Sequence, residues 1–267
     1  MASTILASRA LVRVSGVEAA TFLQGLLTQD VLSADAACWR FAALLSPQGK
    51  ILFDMLILRK ESAFWLDVRA NMVEALIKRL GLYRLRAKID ILDASLTHHV
   101  SVGEEPLQGL AAPDPRHAGL GWRSLGEGPA PGGNESRWHA RRIALGVPEG
   151  GVDFAFGDIF PHEANMDRLH GLDFKKGCYV GQEVVSRVEH RGLARRRFLR
   201  MGYDGASPEP GMPLMANGVE LGVTGSSANG ICLALVRLDR LAESGGKAIA
   251  GSIPLTALDS LAETGRA

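Results

Sequence analysis

Apolar and polar positions alternate from the first residue to about Val14, the period-two pattern of a strand, so Met1 to Val14 reads as the first strand. Ser15-Gly-Val-Glu18 then fits a capping box, and Phe22, Leu23, Leu26 and Leu27 share one helical face, which predicts a helix over about 17–28. Trp39 to Leu45 and Lys50 to Arg59 are two strand-like runs joined by Ser46-Pro-Gln-Gly49, with Pro at the second turn position, which predicts a hairpin. Phe64 to Val68 is a further strand. Val73, Leu76, Ile77 and Leu80 fall at i, i+3, i+4 and i+7 on a helix expected to end at Gly81, and Lys88 to Leu92 returns to strand. Trp138 to Leu145 reads as a short helix stopped by Gly146 and Pro148, and Gln182 to His190 as another.

This order predicts an α+β region over residues 1–194, built of antiparallel sheets with packed helices. Residues 103–134 are rich in Gly and Pro, and Gly126 to Gly133 has almost nothing to bury, so an exposed loop is expected there. From Arg195 the pattern changes to short strands broken by Gly, Pro and an Asn217-Gly218 turn, which predicts a small β-barrel or sandwich over 195–267. No fixed-period repeat is present.

Composition narrows the function classes. The 267 residues are 46% hydrophobic and 22% charged, the mix of an ordinary globular protein, which excludes a disordered chain. A formal net charge of +1 provides no global field for nucleic acid or anionic membranes, so neither is an expected partner. Apolar runs such as Ile51 to Leu58 are interrupted by charge well before the ~18–20 residues a membrane span requires. The start of the chain lacks the basic, apolar and small-residue regions of a signal peptide, which makes the cytoplasm the expected location. Cys38, Cys178 and Cys232 are odd in number, far apart and free of CxxC spacing, which argues against disulfides and structural zinc. An iron-sulfur cluster usually takes about four protein ligands, so no stably bound metal or cluster is expected on one chain.

The most unusual stretch is Lys175-Lys-Gly-Cys-Tyr-Val-Gly-Gln-Glu183. Gly177 and Gly181 bracket Cys178 just ahead of a predicted helix N-terminus, where the helix dipole and two lysines favour thiolate. The other reading is a buried, inert thiol in a Gly-rich turn. Gln182 and Glu183 either cap that helix or present an amide and a carboxylate to a heterocycle edge. Glu163 and Asn165 place the same two groups in an upstream loop. Asp54 shares a strand face with Leu52, Leu56 and Leu58; it is an ion-paired edge charge or a carboxylate facing a cleft. Arg191, Arg195, Arg196 and Arg197 form a basic cluster that is either a solvated face or a hold for a carboxylate or phosphate tail. His98 and His99 lack metal-ligand spacing and read as structural.

Lys176-Gly-Cys-Tyr-Val-Gly-Gln-Glu183 closely resembles the KGC[FY]xGQE signature of the YgfZ family, folate-binding proteins related to the T-protein of the glycine cleavage system. Phe22-Leu-Gln-Gly-Leu-Leu-Thr-Gln-Asp-Val31, Leu45-Ser-Pro-Gln-Gly-Lys-Ile51 and Pro161-His-Glu-Ala-Asn-Met-Asp167 are similar to the same family in the same order. The resemblance implies an aminomethyltransferase-like fold with a C-terminal barrel. It also implies a tetrahydrofolate-binding accessory protein for assembly or repair of iron-sulfur enzymes, with iron-sulfur clients or assembly proteins as transient partners. Cys178 is then the functional thiol. Gln182, Glu183, Tyr179, Lys176, Glu163, Asn165 and Arg191 are the folate candidates, and Asp54 is the one acid on the strand that carries acidic residues in aminomethyltransferases. The alternative is a folate-dependent one-carbon transferase.

Overall fold

The computed structural model describes residues 3–33, 38–106, 109–130, 134–192 and 194–260. The chain opens with β1 (Thr4–Ile5), β2 (Arg9–Ser15) and the short helix α1 (Ala19–Gln24). Three strands, β3 (Trp39–Leu45), β4 (Ile51–Lys60) and β5 (Ala63–Arg69), lead into α2 (Val73–Arg84) and β6 (Asp90–Asp93). Then come β7 (His98–Gly103), β8 (Leu110–Pro113), β9 (Trp122–Glu127), α3 (Ser136–Ala144) and α4 (Gln182–Arg191). The last part comprises β10 (Arg196–Tyr203), β11 (Pro213–Ala216), β12 (Val219–Ala228), β13 (Ile231–Arg237), α5 (Leu238–Glu243), β14 (Lys247–Ala250) and β15 (Ile253–Ala257).

These strands make a five-stranded sheet ordered β3-β4-β5-β2-β6, a four-stranded sheet ordered β1-β7-β9-β8, and a closed six-stranded barrel, β10-β13-β12-β11-β14-β15. The expected α+β class with antiparallel sheets and a terminal barrel is what forms. Period-two side chains send Phe53, Met55 and Ile57 of β4 to one face of the five-stranded sheet, where they pack with Leu23 of α1 and Leu76 and Leu80 of α2. Leu56 and Leu58 go to the other face, against Val100 and Leu125 of the second sheet, Trp138 of α3, and Phe198, Leu233 and Leu235 of the barrel. Strand β13 alternates likewise, with Cys232, Ala234 and Val236 lining the barrel interior. Asn217 and Gly218, both at positive φ (50° and 75°), make the predicted two-residue turn between β11 and β12.

Four sequence expectations are corrected. The first strand is two, β1 and β2, which pair into different sheets. The capping box is not formed, because the Glu18 carboxylate accepts the backbone N–H of Lys88 at 2.7 Å; α1 starts at Ala19 and ends at Gln24, not near 28. Helix α2 runs through Gly81 to Arg84, since Gly81 faces open space and costs only about 1 kcal/mol of propensity there. The stretch 103–134 is not one exposed loop: it holds β8 and β9. Its inward-facing groups mix Ala112, Leu120 and Leu125 with the buried charges Asp114, Arg116 and Arg123, and the charges hid the burial from a reading based on apolar alternation. Among the described residues, no helix is long and apolar enough to cross a membrane.

Candidate functional site

Lys176 to Gly181 of the signature form the loop before α4, whose first turn holds Gln182 and Glu183, and two of the other resemblance segments, Phe22 to Val31 and Leu45 to Ile51, hold the loop in place. The Thr28 hydroxyl donates to Gly171 O at 2.7 Å and accepts from Ala43 N at 2.9 Å, while Asp173 N donates to Thr28 O at 3.0 Å. The Asp173 carboxylate then accepts the N–H groups of Lys175 and Lys176 at 2.7 and 3.1 Å, which turns the chain. The Lys176 side chain points inward, and its Nζ donates to the carbonyls of Gln24, Leu27 and Gln29 at 2.8, 2.5 and 2.9 Å. Desolvation lowers the Lys176 pKa to about 8, against the pull of Asp30 and Asp173. Tyr179 is buried with its ring centroid 5.3 Å from that Nζ, and burial, then Asp173, pushes its phenol up to about 12.

On the far side of the loop, Gly181 sits at φ +82° as the residue before α4, and a Cβ there would lie 2.6 Å from Ser46 O in the β3–β4 turn. The matching Gly49 (φ +79°) packs on Val184 of α4. Gly177 and Cys178 form the exposed tip, with Phe174 exposed beside them. Gln182 is half-buried and Glu183 exposed in the first turn of α4, and neither caps the helix. Cys178 is exposed, so the burial expected of an inert core thiol is not found.

Glu163 and Asn165 lie elsewhere, at the joint with the barrel. Glu163 accepts from Arg196 Nε at 2.7 Å and Phe160 N at 2.8 Å, and Asn165, at φ +57°, donates to Phe198 O at 2.8 Å. Arg197 pairs with both oxygens of Asp167 at 2.9 and 2.7 Å. Arg196 and Arg197 are therefore engaged internally; Arg195 is exposed, and the side chain of Arg191 lies outside the described residues. His162 Nε2 meets Glu189 of α4 at 3.0 Å, and with Asp167 these could converge on a metal ion, but Arg197 already neutralises Asp167.

Asp54 occupies a third place, the middle of the molecule. Its Oδ2 accepts Gly150 N–H at 3.0 Å, whereas Oδ1 is buried without a partner, and burial raises its pKa against the opposing charge of Arg9. Around it runs an ion network that joins both sheets, α3 and the barrel. Arg9 of β2 meets Asp67 of β5 at 2.7 Å and Glu149 at 3.2 Å; Arg123 of β9 bridges Asp67 and Asp114; Arg142 of α3 holds Glu149 at 3.4 Å and Asp153 at 2.6 Å. Asp153 in turn accepts Ser226 N of the barrel at 2.8 Å.

Arg69, whose Nε is also buried without a partner, and the half-buried ring of Phe156 flank the same Gly150-Gly151 pair as Asp54. An acceptor oxygen, a donor N–H and aromatic surface suit a flat heterocycle such as a pterin. Arg69 and Phe156 were not singled out in the sequence; the adjacent glycines before Asp153-Phe-Ala-Phe156 are the signal that could have found them. Two cavities of about 410 and 420 Å³ lie apart from Asp54 and Cys178, the second bordered by Asn165.

Cys38 and Cys232, each next to apolar residues in sequence, differ in burial. Trp39 turns inward at 3% exposed, while Cys38 stays outside the strand and is exposed. Cys232 is buried, and burial pushes its thiol up. Iodoacetamide at neutral pH should modify Cys178 and Cys38, with Cys232 slower by on the order of a hundredfold in a peptide-mapping time course. Equal labelling of all three would contradict the buried barrel thiol.

Comparison with known proteins adds the following. Residues 195–260 match the family described as CAF17, C-terminal beta-barrel domain. The chain is 32% identical to the human protein named iron-sulfur cluster assembly factor IBA57, mitochondrial, covering 92% of this chain and 82% of that protein. It is 33% identical to the Neurospora crassa IBA57 homolog over 77% of its length; the chain spans little more than half of the fungal relatives, 55% of the Neurospora protein. The mouse IBA57 protein is 30% identical over 76% of this chain. The solved structure of the glycine cleavage system aminomethyltransferase T from Bartonella henselae superimposes with a TM-score of 0.76 over 97% of this chain and 85% of that chain, at 17% identity, and so shares the fold. The relatives carry the IBA57 name where the signature suggested YgfZ. They are also named mitochondrial, which overturns the expectation of a cytoplasmic protein.

Proposed function

The chain belongs to the IBA57 family of iron-sulfur cluster assembly factors, and from that premise we propose that it acts in iron-sulfur assembly by presenting the Cys178 thiol to a cluster shared with a second protein. The observation that carries this reading is an exposed cysteine at the tip of a loop whose flanks are fixed from both sides. One thiolate from this chain supplies one of the about four ligands a cluster takes, so the remaining ligands come from a transient assembly or client partner. Expression of this chain in cells lacking their IBA57-type protein should restore their iron-sulfur enzyme activities. Stable, folded protein that restores none of them would overturn the proposal.

Reduced folate is the proposed small-molecule ligand, with Asp54, Arg69 and Phe156 as the residues that would hold the pterin. Native-state binding raises the melting temperature as ln(1 + [L]/Kd). Tetrahydrofolate should therefore raise the Tm of the wild-type protein. Asp54→Asn removes a desolvated charge, so it should leave the Tm of the free protein equal or higher at pH 7 while shrinking the folate-dependent rise. No rise at millimolar tetrahydrofolate counts against the ligand. The one-carbon transferase reading rests on the same unpartnered Asp54 oxygen in an aminomethyltransferase fold. It requires Asp54→Asn to abolish the support of iron-sulfur enzymes as Cys178→Ala does.

A further inference from the structure

We propose that Lys176 is the positioning residue for Cys178: its ammonium pins the signature loop to the carbonyls that follow α1 and thereby sets where the thiol is presented. The proposal rests on the reading of Cys178 as the working thiol.

An ammonium has three N–H donors, and all three are used here on Gln24, Leu27 and Gln29. Gln24 is the last residue of α1, so its carbonyl has no helical partner, and Leu27 and Gln29 are buried, so water does not replace the lost donor. Among the described residues no carboxylate forms an ion pair with Nζ; the nearby charges, Asp30 and Asp173, act at longer range. A point cation on a flexible stem suits three converging carbonyls better than a planar guanidinium does. The geometry of the loop follows from this contact. Lys176 and Tyr179 both turn inward and lie together, so the two residues between them, Gly177 and Cys178, form the outward tip. Lys176 thus acts through the backbone two residues before the thiol and touches neither a cluster nor a substrate.

Lys176→Met keeps the stem and removes the donors. By hydrogen exchange, segments 24–30 and 174–181 should exchange about tenfold faster, while β3–β5 and the barrel are unchanged. Cys178 should alkylate no more slowly than in the wild type. Support of iron-sulfur enzymes should fall by about tenfold at a temperature where the variant is fully folded, as expected for a misplaced reacting group. Lys176→Arg, which fills two of the three carbonyls, should recover most of both the protection and the activity. Lys247→Met, on the exposed face of the barrel, should change nothing.

Full activity of Lys176→Met with fast loop exchange overturns the positioning role, and unchanged exchange overturns the pin itself. If Lys176→Met does not fold, Lys176→Gln and Lys176→Arg decide: activity must rise with loop protection across the two, and full activity with fast exchange in either overturns the proposal. Cys178→Ala in the same assay separates the two ideas. Full activity there removes the thiol reading, and exchange alone then judges whether Lys176 pins the loop.

Discussion

Cys178→Ala should fold and melt like the wild type, within about 0.5 kcal/mol, and should lose its support of iron-sulfur enzymes altogether. The stability half of this expectation follows from the frame. Every contact that shapes the loop is made by other atoms: the Asp173 carboxylate, the Lys176 ammonium, the buried Tyr179 ring and the Gly181 backbone against Ser46. The thiol itself is exposed, so its removal leaves no cavity. The functional half follows from chemistry, since no neighbouring side chain of the loop tip replaces a thiolate as a soft ligand. Cys38→Ala is the matched control, because that thiol is equally free but lies outside the frame. Activity of iron-sulfur enzymes in complemented cells is the measurement, with circular dichroism melts of both purified variants alongside. A Cys178→Ala protein that complements fully would leave the thiol without a role.

The largest stability effect is expected at Asp67. It is fully buried and accepts from Arg9 Nε at 2.7 Å and from Arg123, and its own carbonyl accepts Arg9 Nη2 at 2.7 Å. Asp67→Leu leaves two buried guanidinium groups short of a counter-charge, and breaking a buried pair in this way costs about 3–5 kcal/mol. Urea unfolding should show a lower midpoint with an unchanged slope. A shift below about 1 kcal/mol would mean that Glu149 and Asp114 compensate unaided.

The same network sets the acid limit. Burial pushes the Glu149 carboxyl up, yet Arg9, Arg142 and Arg116 together outweigh it and hold the pKa at about 2, from an ordinary value of 4.5. Asp114, buried likewise, is held well below the carboxylate range by Arg116 and Arg123. Depressed carboxyl pKa values contribute stability that is complete above the unfolded values and is lost as pH falls through the folded ones. The Glu149 contribution should therefore decline between about pH 4.5 and 2, and Asp54, whose pKa is raised, acts in the opposite direction.

Segments whose burial is apolar were legible in the sequence. The β3–β4 hairpin lies where period and turn chemistry put it, because Leu, Ile and Phe report burial directly. Segments whose burial is ionic were not. Strand β9 looked like loop because Arg123 faces inward and meets Asp67, far away in sequence. The candidate site split for a related reason. The family resemblance picked out Lys176, Glu163 and Asn165 as folate candidates, but each polar head is turned to a backbone group or an arginine of the same chain. A motif records that a residue matters locally without saying whether it faces solvent or carbonyls.

The bonds from Lys176 to Gln24, Leu27 and Gln29 span 147 to 152 residues of chain. During synthesis the N-terminal segment leaves the ribosome first and waits, with its carbonyls hydrated, for a lysine translated much later. The loop that displays the thiol can therefore close only after residue 176 has been made, across a contact of high sequence separation of the kind that slows folding. A truncated or half-folded chain does not hold its cysteine in working position. Where the thiol stands therefore depends on the amino-terminal segment as much as on the signature loop itself.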